Sequence, residues 1–225
     1  MSDKKRAITI ILMAISACLV MAIVDGVIEP QYAVKSAVKL VMFVAAPVIY
    51  MVCSRDGRFR KFLKPDKKRI LLALALGVVV YGAIVGGYFL LRGVIDFSGI
   101  TQSLIDGEGV TRNNFIFVAL YISFVNSFCE ELFFRGFAFG ALGGVIPKKF
   151  SYLFSALLFA VYHVAIMTGW FSPLVFVLMI VGLAVAGIIF NRIDDGADSI
   201  FPSWIIHLFA NLGINTIGLI LFGII

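Results

Sequence analysis

Two adjacent glutamates, an arginine and two histidines lie inside stretches that are otherwise too apolar for charge. Glu130, Glu131 and Arg135 follow the apolar run that begins near Phe115. His163 closes Phe159-Ala160-Val161-Tyr162-His163, and His207 opens His207-Leu208-Phe209-Ala210-Asn211. These are the only 2 histidines of the chain. Carboxylates and imidazoles are the usual general acids and bases. An ionisable side chain in lipid is costly enough to mark a functional site by default. Glu131 and Arg135 stand at i, i+4 in the favourable acid-before-base order, which predicts a buried ion pair. Glu130 is rotated from them by about 100° at 3.6 residues per turn. It lacks that partner and is free to act as a base. His207 and Asn211, also at i, i+4, give one helix face a protonatable ring and an amide donor. His163 comes from another helix. The three segments must converge, since little else in lipid satisfies such groups.

The positioning elements are membrane helices. The 225 residues are 61% apolar and 14% charged, against roughly 45–50% and about 25% in soluble domains. A soluble protein could not cover that much apolar surface, and the useful unit is a span of about 20 residues. Ala7–Val24, Ala33–Cys53, Ile70–Leu91 and a run from Phe115 are four candidates. Phe150–Asn191 carries no Asp, Glu, Lys or Arg and is two more, divided by the turn signal Gly169-Trp170-Phe171-Ser172-Pro173. Phe201–Ile225 is the last. Continuous apolar runs mean helices rather than barrel strands. The fold class is therefore all-α, a polytopic transmembrane helical bundle of about seven helices (six to eight), forming one integral-membrane domain over 1–225. Pro47 predicts a kink in the second span. Lys35 and Lys39, near one end of it, read as lysines that snorkel to the interface. Ile15-Ser16-Ala17-Cys18 resembles a lipoprotein cleavage box, but the apolar run continues past Cys18, and the expectation is an uncleaved span.

The net charge of +6 suggests nucleic acid only in a soluble chain. Here Ser54–Arg69 holds Arg55, Arg58, Arg60, Lys61, Lys64, Lys67, Lys68 and Arg69, whereas Arg92–Asn114 is acidic on balance. With a cytoplasmic amino terminus, all the basic clusters fall inside, as the positive-inside rule requires. The expected surroundings are the lipid bilayer, with no nucleic acid; the sequence leaves the oligomeric state open. Cys18, Cys53 and Cys129 form neither a disulfide framework nor a metal motif, and an apolar setting makes Cys129 an inert thiol.

Glu130-Glu131-Leu132-Phe133-Phe134-Arg135 resembles the EExxxR motif of the CAAX-protease and bacteriocin-processing family of intramembrane proteases. Phe159-x-x-x-His163 is similar to its FxxxH motif, and His207-x-x-x-Asn211 to its HxxxN motif. All three occur in order over 115–219, which the resemblance makes the catalytic core; the spans of 1–114 carry no motif. The resemblance implies an intramembrane endopeptidase, a peptide hydrolase acting on a membrane-associated peptide or protein. It implies that Glu130 and His163 activate a water, that His207 and Asn211 form the oxyanion hole, and that Glu131, Arg135 and Phe159 support them. Small size implies a bacterial member. Glu130→Gln is then expected to leave a folded, inactive protein.

Other readings of these residues exist. The charged group can be an ionic network that only ties helices together, His163 an interhelical hydrogen-bonding residue, and His207 with Asn211 a packing pair. Phe159, Phe133 and Phe134 read as lipid-facing or core. Two histidines and a glutamate are also the ligand set of a catalytic zinc, so a zinc held by Glu130, His163 and His207 is the rival chemistry. With no HExxH and no i, i+4 histidine pair, the expectation is no cofactor and no metal. At the level of function, a non-catalytic membrane partner, either a bacteriocin self-immunity or a sensor-regulating protein, is the alternative. A transporter ranks last, lacking a repeat.

Overall fold

A computed structural model describes residues 2–54 and 57–225, Arg58 by its backbone alone. Arg55 and Asp56 of the basic loop lie outside the described residues. Two membrane-length helices, α1 (Asp3–Ile28) and α2 (Tyr32–Ser54), lead into the short α3 (Gly57–Phe62). Next come α4 (Lys67–Leu91) and the shorter α5 (Ser98–Glu108), then α6 (Phe115–Gly144), α7 (Lys148–Met167), α8 (Pro173–Ala197) and α9 (Phe201–Leu221). Among the described residues there is no strand, and 7 helices are long and apolar enough to cross a membrane. The chain is an all-α, multi-pass membrane protein.

Local chemistry sets the helix ends. The Asp66 carboxylate accepts the Lys68 and Arg69 N–H groups at 3.0 and 3.3 Å, capping α4 where its backbone donors have no partner. Pro173 and Pro202 occupy first turns of α8 and α9, positions where a missing N–H costs nothing. Gly169, at φ +85°, makes the turn between α7 and α8 that the Gly-Trp-Phe-Ser-Pro signal predicts. In α2 the backbone winds as a π-helix over Val41–Ala45, just before Pro47, which has no N–H to bond back into that turn.

α6 is the central element. Every side chain from Glu131 to Ala141 is buried. Phe133 stacks on Phe43 of α2 with centroids 4.1 Å apart, and Phe134 meets Phe159 of α7 edge-on at 5.2 Å. Phe133, Phe134 and Phe159 are thus core residues, not lipid-facing ones. Apolar side chains such as Leu71 and Val79 of α4 and Leu174 and Leu178 of α8 point outward, largely exposed, as a lipid-facing surface requires. Lipid provides no hydrophobic drive between helices, so close approach matters. A Cβ on Gly187 of α8 would come within 2.9 Å of the Ala156 Cα of α7, so only glycine permits that crossing. α6 also departs from α-helical winding on both sides of the glutamates. Ile122–Asn126 and Glu131–Ala141 are π-helical and flank the single α turn Ser127–Glu130, a winding that often marks functional segments.

Candidate active site

The three motif helices meet as their polar residues predict. Glu130 of α6, His163 of α7 and His207 of α9 face one another: the Glu130 Oε2 lies 3.7 Å from His207 Nε2 and 4.0 Å from His163 Nε2. The bond made by the other ring nitrogen sets each tautomer. His163 Nδ1 is 2.8 Å from the Phe159 carbonyl, one turn back on its own helix. His207 Nδ1 is 2.8 Å from Glu131 Oε1. Both Nδ1 atoms therefore carry hydrogen and donate. Each ring turns Nε2 toward Glu130.

The two adjacent glutamates divide as their rotation predicts. Glu131 pairs with Arg135, Oε2 to Nε at 3.3 Å, and neither side chain is exposed. No Arg135 nitrogen has a hydrogen-bond partner among the described residues. Its charge is instead covered by rings, with the guanidinium carbon 4.2 Å from the Phe159 centroid and 5.2 Å from that of Phe190. Phe159 thus serves the site through Arg135, a cation–π contact that strengthens when water is excluded.

Four polar partners escaped the sequence reading. Lys39 of α2, expected at the interface, instead donates to Glu130 Oε1 at 3.1 Å and to Asn126 Oδ1 at 2.7 Å. Asn126, one turn before Glu130, donates through Nδ2 to the same Oε1 at 3.0 Å. Glu130 therefore has a cationic partner, reached from another helix. Ser203 and Asp194 extend the second glutamate's network. The Ser203 hydroxyl is 2.6 Å from Glu131 Oε2 and 2.6 Å from Asp194 Oδ2, and its N–H donates to Asp194 Oδ1 at 3.1 Å. One hydroxyl proton serves one acceptor at a time, and the hydroxyl ties the end of α8 to α6 and α9. The charge four residues before Arg135 was legible; a partner from a distant helix was not.

Asn211 sits one turn beyond His207 and is buried. Its Nδ2 donates to the Ile122 carbonyl at 3.2 Å, at the first π turn of α6, leaving the second amide hydrogen without a described acceptor. Asn215, a turn further on, donates to the Ala119 carbonyl and to Ser123 Oγ, both at 3.0 Å. Cys129 is buried next to Glu130. Among the described residues, no three His, Cys, Asp or Glu side chains are grouped to hold a metal ion. The rival zinc set of Glu130, His163 and His207 faces inward together, with the Lys39 ammonium on the other side of the carboxylate.

Residues 112–213 match the family model described as Type II CAAX prenyl endopeptidase Rce1-like. The matched segment begins just ahead of α6 and ends within α9. It holds all three motifs and leaves α1–α5 outside. No curated protein and no solved structure matches the chain.

Proposed function

We propose that this chain, whose second half is an Rce1-like domain of the CAAX-protease kind, is an intramembrane endopeptidase that hydrolyses peptide bonds in a membrane-associated peptide or protein. The observation that carries this reading is the meeting of Glu130 Oε2 with the Nε2 atoms of His163 and His207, three groups from three helices in the buried centre of the bundle. A water held among these atoms is within reach of a carboxylate base. Glu130, with His163 beside it, takes the water's proton as the oxygen attacks the carbonyl carbon. The proton is then available to the leaving amine.

His207 takes the second role. The Glu131 carboxylate behind Nδ1 both orients the ring and stabilises a positive charge on it, as the buried aspartate does in serine-protease triads. A His207 that carries hydrogen on both nitrogens donates from Nε2 to the developing oxyanion. Asn211 supplies the second donor through its remaining amide hydrogen. Each such donor is worth about 2.7–4 kcal/mol in the transition state. The reading is metal-free. An ammonium 3.1 Å from Glu130 already balances the charge that a divalent cation would need. Orientation follows the basic residues, with the amino terminus and the 54–69 loop cytoplasmic.

The test compares new peptide termini in membranes from cells making the wild type or Glu130→Gln at matched levels. Specific termini that appear only with the wild type are expected, and their sequence gives the substrate. Identical profiles overturn the reading and point to a binding role for the same fold.

A further inference from the structure

The Glu130 carboxylate is used on both sides, and only one side belongs to the motifs. Oε2 faces the two histidines. Oε1 accepts two hydrogen bonds, from Lys39 Nζ at 3.1 Å and Asn126 Nδ2 at 3.0 Å, and Lys39 and Asn126 are themselves joined at 2.7 Å. The three groups close a triangle of hydrogen bonds. Lys39 is largely buried, its side chain 13% exposed, with Nζ 5.1 Å from the Tyr162 ring centroid and 6.0 Å from that of Phe43. Phe43, one turn after Lys39 on α2, stacks on Phe133, which follows Glu130 on α6. That stack fixes the register of α2 against α6, so Lys39 cannot slide away from Oε1 without breaking an aromatic contact in the core.

We propose that Lys39 and Asn126 are positioning residues of the proteolytic site, holding Oε1 of Glu130 so that Oε2 alone is presented to water and the histidines. The inference rests on the protease reading. It places an essential residue in α2, outside the 112–213 segment that carries the motifs. A carboxylate can rotate about its terminal bond, and a base that rotates presents the wrong oxygen for part of the time. Two donors on one oxygen stop that rotation, and the ammonium compensates a charge buried far from water.

The experiment uses the full chain, purified in detergent, and an internally quenched farnesylated CAAX peptide as probe. Wild type, Glu130→Gln, Lys39→Met, Lys39→Arg and Asn126→Ala are compared for kcat, KM and Tm. Lys39→Met is expected to lower kcat on the order of 10²-fold, the scale of a misplaced catalytic group, with KM unchanged. Lys39→Arg restores most of the rate, because charge and donors return. Asn126→Ala, which keeps the ammonium, gives a smaller loss in kcat. A folded Lys39→Met protein with wild-type kcat overturns the proposal, as does a Lys39→Met defect confined to KM or one that arginine fails to rescue. Should Lys39→Met not fold, Asn126→Ala decides, and wild-type kcat in that variant overturns it. Cleavage of the probe that is equal in the wild type and Glu130→Gln overturns the protease reading and this inference together. Cleavage that depends on Glu130 but is indifferent to Lys39 overturns the inference alone.

Discussion

His207 and Glu131 are joined across α9 and α6 by a 2.8 Å contact between Nδ1 and Oε1, and in the proposed protease mechanism this contact makes the second glutamate part of the reaction machinery as well as of the scaffold. Its other oxygen holds Arg135 and Ser203. Glu131→Gln therefore removes an orienting carboxylate from His207 and leaves the Arg135 charge buried without a counter-ion. Breaking a buried pair in this way costs about 3–5 kcal/mol. The expected outcome is a large fall in Tm together with lost cleavage. Glu130→Gln also removes a counter-ion, that of Lys39, but the lysine side chain is 13% exposed and keeps the Asn126 side-chain carbonyl as acceptor. Arg135, by contrast, is fully buried and has no hydrogen-bond acceptor among the described residues, so the smaller loss of stability is expected for Glu130→Gln. A Glu131→Gln protein as stable as Glu130→Gln would contradict this division.

Arg135 tests how a guanidinium is held without hydrogen bonds. Its carbon lies 4.2 Å from the Phe159 centroid and 5.2 Å from the Phe190 centroid. Lysine keeps the charge but not the flat surface that stacks on rings. Arg135→Lys and Phe159→Leu are each expected to lower stability by about 2 kcal/mol, the size of a desolvated cation–π contact. The double variant should lose less than the sum of the two. Thermal unfolding of the four proteins in one detergent gives the coupling, and strict additivity would show that the contact contributes nothing.

The amino-acid sequence carries most of this site on its surface, and the reasons for its silences are physical. Seven apolar runs could only be membrane helices, and the rotation between Glu130 and Glu131 separated the carboxylate that pairs with Arg135 from the one that faces the histidines. Spacing within one helix is legible because a single periodicity governs it. Lys39 was not legible: a lysine near the end of a span has the same local pattern whether it snorkels to the interface or, as here, meets a carboxylate 91 residues further along the chain. Asp194 stands in Asn191-Arg192-Ile193-Asp194-Asp195, which reads as a polar helix end, yet Asp194 is fully buried while Asp195 pairs with Lys148. Only the packing of α8 against α6 distinguishes those neighbours.

The packing of α8 against α7 depends on Gly187. A methyl group there would press on the Ala156 backbone at 2.9 Å, and backbone cannot move aside as a flexible side chain can. One turn beyond Gly187, Asn191 donates to the Tyr152 carbonyl at 3.1 Å, and Ser155 lies 3.3 Å from Asn191, so the two helices are also bonded where they touch. Gly187→Ala is expected to cost about 1–3 kcal/mol, as overpacking does. It also displaces α7, which carries His163, so kcat should fall with Tm. Unchanged Tm in this variant would mean the crossing is looser than the contact indicates.

Metal removal separates the two chemistries that Glu130, His163 and His207 allow. In the metal-free reading, cleavage by the purified protein is unchanged after prolonged dialysis against a strong chelator, and zinc content does not follow activity across preparations. A catalytic zinc gives loss on chelation and recovery on adding the ion back. That result would displace the glutamate-activated water and recast Lys39 as a neighbour of a metal ligand.

Asn211 and Asn215 lie one turn apart on α9 and both donate to carbonyls of α6, yet they should fail in different ways. Asn215 spends its Nδ2 on two described acceptors, the Ala119 carbonyl and Ser123 Oγ, and is a helix tie. Asn211 spends its Nδ2 on one, the Ile122 carbonyl, and shares a helix face with His207. Asn215→Ala should lower stability by about 1–3 kcal/mol, the cost of leaving buried groups unpaired, with kcat per folded molecule unchanged. Asn211→Ala should lower kcat about 10²–10³-fold, as loss of one oxyanion donor does, with a smaller change in Tm. The comparison needs only the folded fraction and the initial rate of each variant. If both variants lose stability alone, Asn211 is a second helix tie, and His207 is left as the sole donor to the oxyanion.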